Sequence, residues 1–395
     1  QEVIAAPISQ MVKDCLADTG MDNKSMLKCR NMFAVGLVCW LFNRDLNIAE
    51  DFIREKFSKK PEIAEANIKV VRAGYDYGHN THASVAHTYK IESKAAVPGK
   101  YMDITGNKAT AYGFIAAAEK AGLKLYLGSY PITPATDVLH ELSKHKSLGV
   151  TTVQCEDEIA GCASAIGASY AGALAVTSTS GPGICLKSEA MNLAVIMELP
   201  LVVLDVQRGG PATGLPTKSE QTDLLQVLFG RNGESPMPVI AATSPTDCFD
   251  SAYMAAKIAL EHMTPVVLLT DAFVANGSGA WKLPKLADYP AINPPYVRPE
   301  MSETWTPYQR DPQTGVRYWA VPGTEGFTHV LGGLEKDNKT GAISTDPENH
   351  DLMTRLRQQK ISNIEVPDVE VEGDKEDAEL LIVGFGGQFR TGMQG

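Results

Sequence analysis

No Cys-x-x-Cys spacing occurs in this chain of 395 residues, and its seven cysteines are scattered and odd in number. That excludes an iron–sulfur cluster or zinc knuckle written into the chain, and it fits a reducing, cytoplasmic setting. Neither G-x-x-x-x-G-K-[ST] nor G-x-G-x-x-G is present, so two familiar glycine-loop phosphate signatures are missing. Positive charge is scarce: 36 Lys and Arg stand against 47 Asp and Glu, a net charge of −11. Nucleic acid is a poor main partner for such a chain, because gripping phosphates takes basic patches. Long apolar runs are missing too. Asn31–Phe42 is too short to span a bilayer, and the uncharged stretch from Ile159 to Leu186 is rich in hydroxyls and broken by Gly181-Pro182-Gly183.

What is present is ordinary globular material, 44% apolar and 21% charged. The length predicts two or three domains. Residues 1–78 read as helical, with Asn47 capping Ile48–Phe57 and Pro61 opening a helix that runs to Ala73 and stops at Gly74. Residues 79–104 read as a linker. His79, His82 and His87 fall in it without a thiol or carboxylate to complete a metal site, so no metal is assigned. From residue 105 to 290 short apolar strands alternate with helices. The strands are placed at Leu123–Leu127, Thr151–Val153, Leu174–Thr177, Leu201–Val206, Val239–Ala242 and Val266–Leu269. Helices are placed at Leu186–Ile196, Gln221–Phe229 and Pro245–Glu261. This alternation predicts an α/β fold, a doubly wound parallel sheet. Residues 291–377 read as an extended segment rich in Pro, Gly and Asp. Trp305, Tyr308, Tyr318 and Trp319 predict that it packs between domains or subunits. Leu380–Gly387 reads as a strand and glycine turn that start a further α/β unit over 378–395.

Ligands of doubly wound sheets sit at the carboxyl ends of the strands. Four segments fall there. Glu158 closes the acidic box Gln154–Glu158 and heads the uncharged stretch, where a carboxylate is expected to be partly desolvated and suited to exchanging a proton. A favourable helix N-terminus explains the same box equally well. Tyr130-Pro131-Ile132-Thr133-Pro134 is stiffened by two prolines and presents the Thr133 hydroxyl, or else is a rigid turn with Thr133 or Thr136 as cap. Ser178-Thr179-Ser180-Gly181-Pro182-Gly183 lets the backbone come close to a cofactor or a second subunit. Arg208, in Gln207-Arg208-Gly209-Gly210-Pro211, is placed to grip a carboxylate or to sit idle at a strand end.

In this order, these segments resemble the 2-oxoacid:ferredoxin oxidoreductases. Arg208-Gly209-Gly210-Pro211-Ala212-Thr213-Gly214-Leu215-Pro216-Thr217, Pro322-Gly323-Thr324 and Gly332-Gly333-Leu334-Glu335-Lys336-Asp337 extend the likeness over nearly the whole chain. It is nearest to the alpha subunits of the 2-oxoglutarate branch that carry a fused gamma domain. The resemblance makes 1–78 the end of a gamma domain, 105–290 a thiamine pyrimidine-binding domain and 378–395 the start of a transketolase-like domain. It implies thiamine diphosphate shared with a beta subunit, which would hold Mg²⁺ and the [4Fe-4S] cluster. It further implies a 2-oxoacid substrate, coenzyme A, ferredoxin and an (alpha-beta)2 assembly. Glu158 and Thr133 would be catalytic, and Arg208 and Thr133 would bind substrate. Glu158, Tyr130, Pro131, Ile132, Ser180 and Gly181 would bind the cofactor, with Glu156 as the competitor of Glu158 at the aminopyrimidine. The chain has no Gly-Asp-Gly of a Mg²⁺ motif, as that division of labour requires. The alternatives are a branched-chain, aryl or pyruvate-type enzyme, and a noncatalytic scaffold.

Overall fold

A computed structural model describes residues 4–81, 88–91, 97–369, 371, 373 and 376–388. The chain divides into two units, residues 1–98 and 99–395. The first unit is helical: α1 (Ile8–Leu16), α2 (Asn23–Lys28), α3 (Arg30–Leu41), α4 (Leu46–Lys56) and α5 (Pro61–Thr81). Asp45, not Asn47, caps α4, its carboxylate accepting the Asn47 N–H at 3.0 Å. Helix α5 does not stop at Gly74. A β-carbon there would lie 2.0 Å from the Phe33 carbonyl oxygen, and one on Gly36 would lie 1.9 Å from that of Val71. These glycines are the crossing point of α3 and α5, where the backbones touch; they are not helix terminators. Glu50, 4% exposed, ties α4 to α5 through two 2.7 Å bonds from Arg72. The expected linker shortens at both ends, since α5 takes in His79–Thr81 and a strand begins at Tyr101. His82 and His87 lie outside the described residues.

The second unit is built on a six-stranded parallel sheet. Its strands are β2 (Leu125–Ser129), β3 (Val150–Gln154), β4 (Leu174–Thr179), β5 (Leu201–Gln207), β6 (Val239–Ala241) and β7 (Pro265–Asp271), in the order β3-β2-β4-β5-β7-β6. Each overlaps one of the strands read from the sequence. The central strands β4, β5 and β7 are buried along their whole length, which is why they read as continuous apolar runs. One face of the sheet is covered by α6 (Gly106–Ala121), α7 (Thr136–Leu142) and α11 (Asp247–His262). The other carries α8 (Glu158–Tyr170), α9 (Gly181–Met197) and α10 (Leu224–Phe229). A short α12 (Ala272–Asn276) follows β7, and an antiparallel ribbon pairs β1 (Tyr101–Thr105) with β8 (Ser278–Lys282). That ribbon has no signal in the sequence pattern.

From β2 the chain turns outward to β3, and from β4 it turns the opposite way to β5. The crevice between the ends of β2 and β4 is therefore the switch point, the place where such sheets bind ligands.

Residues 291–377 are not wholly extended. They contain α13 (Pro347–Ser362), capped by Asp346 with Pro347 in the first position. The rest folds onto its own domain, with Trp319 fully buried and stacked on Tyr296 at 5.4 Å. A charge cluster fastens this segment at the amino edge of the sheet. Glu198, fully buried, receives Arg310 Nη1 at 2.8 Å and Lys360 Nζ at 2.6 Å. Arg317, equally buried, donates its Nε–H to the Glu198 carbonyl at 3.0 Å. Leu380–Val383 forms no strand and is exposed, because no strand among the described residues pairs with it. Phe385 instead packs on the apolar layer beneath α8–α10. No helix among the described residues is long and apolar enough to cross a membrane.

Candidate functional site

Small residues bring α8 down onto β2. A β-carbon on Gly128 would lie 2.4 Å from the Gly161 carbonyl, and one on Gly161 would lie 3.1 Å from Ser129 Cα. This contact sets the start of α8 beside the end of β2. Asp157 caps α8, its carboxylate accepting the Ala160 N–H at 2.7 Å. Glu158 is the first residue of the helix and half-buried, while Glu156 is exposed and outside it.

Across the crevice the β4–α9 turn rises to meet Glu158. A β-carbon on Gly183 would sit 3.0 Å from Glu158 Cγ and 1.9 Å from Thr179 Oγ1, so only glycine fits there. Ser180 stands at the cap of α9, yet its hydroxyl makes no cap bond and is buried with no partner. Lys187, fully buried on α9, donates to the Glu158 carbonyl at 2.9 Å and to Thr177 Oγ1 at 3.1 Å. Burial pulls the pKa of this ammonium down from its ordinary value. Cys162, behind it, is pushed up to about 11 by burial, an inert thiol.

The Tyr130–Pro134 loop closes the other side. Ser129 Oγ bonds the Ser178 carbonyl at 2.9 Å and faces Ser178 Oγ at 2.9 Å, clasping β2 to β4 at the switch point. The Thr133–Pro134 peptide is cis, and the Thr133 side chain lies in an exposed residue. Thr136 Oγ1 donates to the Ile132 carbonyl at 2.9 Å. Arg208 is not an idle surface arginine. It is 6% exposed and donates Nη1–H to the Thr133 carbonyl at 2.6 Å and Nη2–H to the Thr213 carbonyl at 2.9 Å. It is a strut between two loops, and its buried Nε–H has no partner. Tyr130, 38% exposed, stands at the mouth.

Glu158, Ser180, Gly181, Tyr130, Thr133 and Arg208 thus lie on turns or at helix starts along one edge of one sheet. Sequence reasoning missed Lys187, Asp205 and Asp223. Lys187 is the first charge after the uncharged stretch, and Asp205 is the lone charge in the apolar strand Leu201–Val206, so both signals were visible. Among the described residues no three His, Cys, Asp or Glu are grouped to hold a metal ion.

The family described as pyruvate flavodoxin/ferredoxin oxidoreductase, thiamine diphosphate-binding, matches residues 116–354. The chain belongs to this oxidoreductase family. A second description, pyruvate ferredoxin/flavodoxin oxidoreductase, matches residues 1–77. The 2-oxoglutarate oxidoreductase subunit KorA of Mycobacterium tuberculosis is 55% identical over 94% of this chain and 56% of its own length. A 2-oxoacid:ferredoxin oxidoreductase alpha subunit of Aeropyrum pernix is 31% identical over 93% of this chain and 57% of its own. The chain thus spans little more than half the length of these relatives. The structure of the Magnetococcus marinus 2-oxoglutarate:ferredoxin oxidoreductase, with 2-oxoglutarate, coenzyme A and succinyl-CoA bound, matches at a TM-score of 0.81. It is 34% identical and covers 94% of this chain and 62% of that one. Within this oxidoreductase family, the thiamine-diphosphate-binding description falls on the domain that carries the crevice.

Proposed function

We propose that this chain is the pyrimidine-binding part of the alpha subunit of a 2-oxoglutarate:ferredoxin oxidoreductase. Such an enzyme converts a 2-oxoacid, coenzyme A and oxidised ferredoxin to acyl-CoA, CO₂ and reduced ferredoxin, or runs the reverse. The observation that carries this reading is the 55% identity to the Mycobacterium subunit across both units of the chain. The broader name of the Aeropyrum relative keeps branched-chain, aryl and pyruvate substrates as the alternative. A noncatalytic scaffold is disfavoured, because Glu158, Thr133 and Arg208 all stand at one edge of one sheet.

The residues present fit thiamine diphosphate. The floor at Gly183 admits no side chain, Ser180 Oγ and Arg208 Nε are buried without partners, and a half-buried carboxyl overhangs the glycine turn. When bound, the cofactor supplies the carbanion chemistry. Glu158 would hold a proton at a ring nitrogen of the aminopyrimidine, and Lys187 fixes the helix turn that carries it. Tyr130, Pro131, Ile132, Ser180 and Gly181 would line the ring. Thr133 would face the substrate side of the crevice. Arg208 has spent two of its five N–H donors on the loops, and the rest remain for a substrate carboxylate. The diphosphate, Mg²⁺ and [4Fe-4S] cluster would lie on a beta subunit, in an (alpha-beta)2 complex that meets ferredoxin in the cytoplasm.

A panel of 2-oxoacids tests this on the full-length subunit, alone and with its beta partner. The panel is run with thiamine diphosphate, coenzyme A and a low-potential acceptor. Activity is expected only in the complex and highest on 2-oxoglutarate. Activity of the subunit alone would sink the proposal, and preference for pyruvate would move it to the alternative.

A further inference from the structure

Beneath the Ser180–Gly183 turn lie two carboxyl groups that no cation among the described residues pairs with. Asp205, in the middle register of β5, is fully buried, and neither of its oxygens has a protein donor. Asp223 precedes α10 and has a buried oxygen in the same condition. Thr179 pairs with Asp205 across β4 and β5, and Asp223 lies against Gly181 two residues on, so the two carboxyls meet at this turn and each acts on the other's protonation. Asp223 also supports the turn directly, since a β-carbon on Gly181 would lie 2.8 and 2.9 Å from its two oxygens. Two ionised carboxylates cannot share such a place, whereas one proton between them satisfies both.

We propose that Asp205 and Asp223 share a single proton and act as a latch: protonated, the pair holds the Arg208–Gln221 loop and the Ser180–Gly183 turn in place, and ionised, it releases the loop. The inference goes beyond the proposed function and does not depend on it, although the turn it supports carries Ser180 and Gly181.

The surroundings agree. Residues 210–220 are all exposed, so no apolar core holds the loop. Its anchors are few: Arg208 on the Thr213 carbonyl, Leu215 N–H on the Gly209 carbonyl at 2.8 Å, Gly209 N–H on the Lys218 carbonyl at 3.0 Å, and Gly210 N–H on Glu220 at 2.8 Å. The Asp223 N–H on Gln207 Oε1 at 3.1 Å adds one more beside the acid pair. Asp205 is fixed within a central strand, so repulsion moves Asp223 and the loop end that carries it. Among the described residues no charge neutralises the pair. Lys187 on α9 is spent on Glu158 and Thr177, and Arg208 on two carbonyls. Asp271, the last residue of β7, is held by Gln221 and by two N–H groups of α12. Glu220, on the loop itself, adds negative charge that favours the proton. Glu158 on α8 is a further acid across the turn. Burial, first of all, raises the pKa of Asp205 well above the carboxylate range, and burial raises that of Asp223 as well.

Hydrogen–deuterium exchange on the full-length chain tests the latch, followed by mass spectrometry from about pH 6 to about pH 10 and corrected for intrinsic exchange. Peptides covering 209–223 should lose protection by up to about tenfold per pH unit once the shared proton leaves. Peptides of β5 and β7 should stay protected. In Asp205→Asn and in Asp223→Asn an amide replaces the shared proton as donor, and protection of the loop should become independent of pH. Either variant suffices if the other fails to fold. Infrared spectroscopy at neutral pH should show a protonated-carboxyl band in the wild type that each variant loses. A loop protection that is flat with pH in the wild type would overturn the latch. So would a pH dependence unchanged in the variants, or the absence of the infrared band.

Discussion

Replacing Glu198 by Ala tests how the long segment after β8 is fastened. The residue is fully exposed in the unfolded chain and fully buried in the fold, where it meets Arg310 and Lys360. Removing the carboxylate leaves both cations buried and unpaired. Breaking a buried pair from one side costs about 3–5 kcal/mol, roughly a hundredfold to several thousandfold in the folding equilibrium. Urea unfolding followed by circular dichroism would measure the loss. The pH dependence has a defined sign. Despite the burial that opposes it, Arg310 and Lys360 hold the Glu198 pKa far below its ordinary value of 4.5. Its contribution is therefore complete above that value and is lost as pH falls through the folded-state pKa. Lys360 runs the other way: burial pushes it down to about 8 from 10.5, with Glu198 opposing. Between those values the unfolded chain holds a proton that the folded one has shed, so the stability of wild type relative to Lys360→Met rises with pH. A loss below about 1 kcal/mol for Glu198→Ala would refute the reasoning, because an exposed pair would cost no more.

Two further substitutions probe the crevice. Gly183→Ala would place its methyl 1.9 Å from Thr179 Oγ1 and against Glu158; overpacking of this kind costs about 1–3 kcal/mol, and steady-state rates of the assembled enzyme should fall more than tenfold if Glu158 must hold its place. Unchanged rates would show that the turn is spectator structure. Arg208→Ala removes two charged hydrogen bonds of about 1.5–3 kcal/mol each and should raise the KM for the 2-oxoacid more than that for ferredoxin. Arg208→Lys should not restore it, because an ammonium lacks the fork that spans two loops. Equal effects on both substrates would assign Arg208 to structure alone.

The six parallel strands were legible because buried central strands are continuous apolar runs between helices, and Leu201–Val206 and Val266–Leu269 are of that kind. The turns of the crevice were legible as Pro- and Gly-rich segments at strand ends. What failed did so for tertiary reasons. Gly74 looks like a helix end from sequence, but its role is to let α3 touch α5. Asn47 and Asp45 are both good caps, and only the fold chooses between them. Helix α13 hides in a polar segment because it buries chiefly Met353, Arg357 and Lys360, two of them charged. For Arg208 the sequence offers its charge and its place at a strand end, while the two loop carbonyls that take two of its donors are contacts that no spacing in the sequence announces. The acid pair Asp205–Asp223 is likewise a contact across 18 residues that no local pattern signals.

We propose Glu158, and not Glu156, as the carboxyl of the crevice that works on the cofactor. Single-turnover rates of Glu158→Gln and Glu156→Gln, each in the full-length subunit assembled with its beta partner, test it most directly. Glu158→Gln is expected to lose about 10²–10⁴ in rate with the complex intact, and Glu156→Gln to stay near wild type. The reverse ranking, or near-wild-type rates in both, would rule out that role for Glu158.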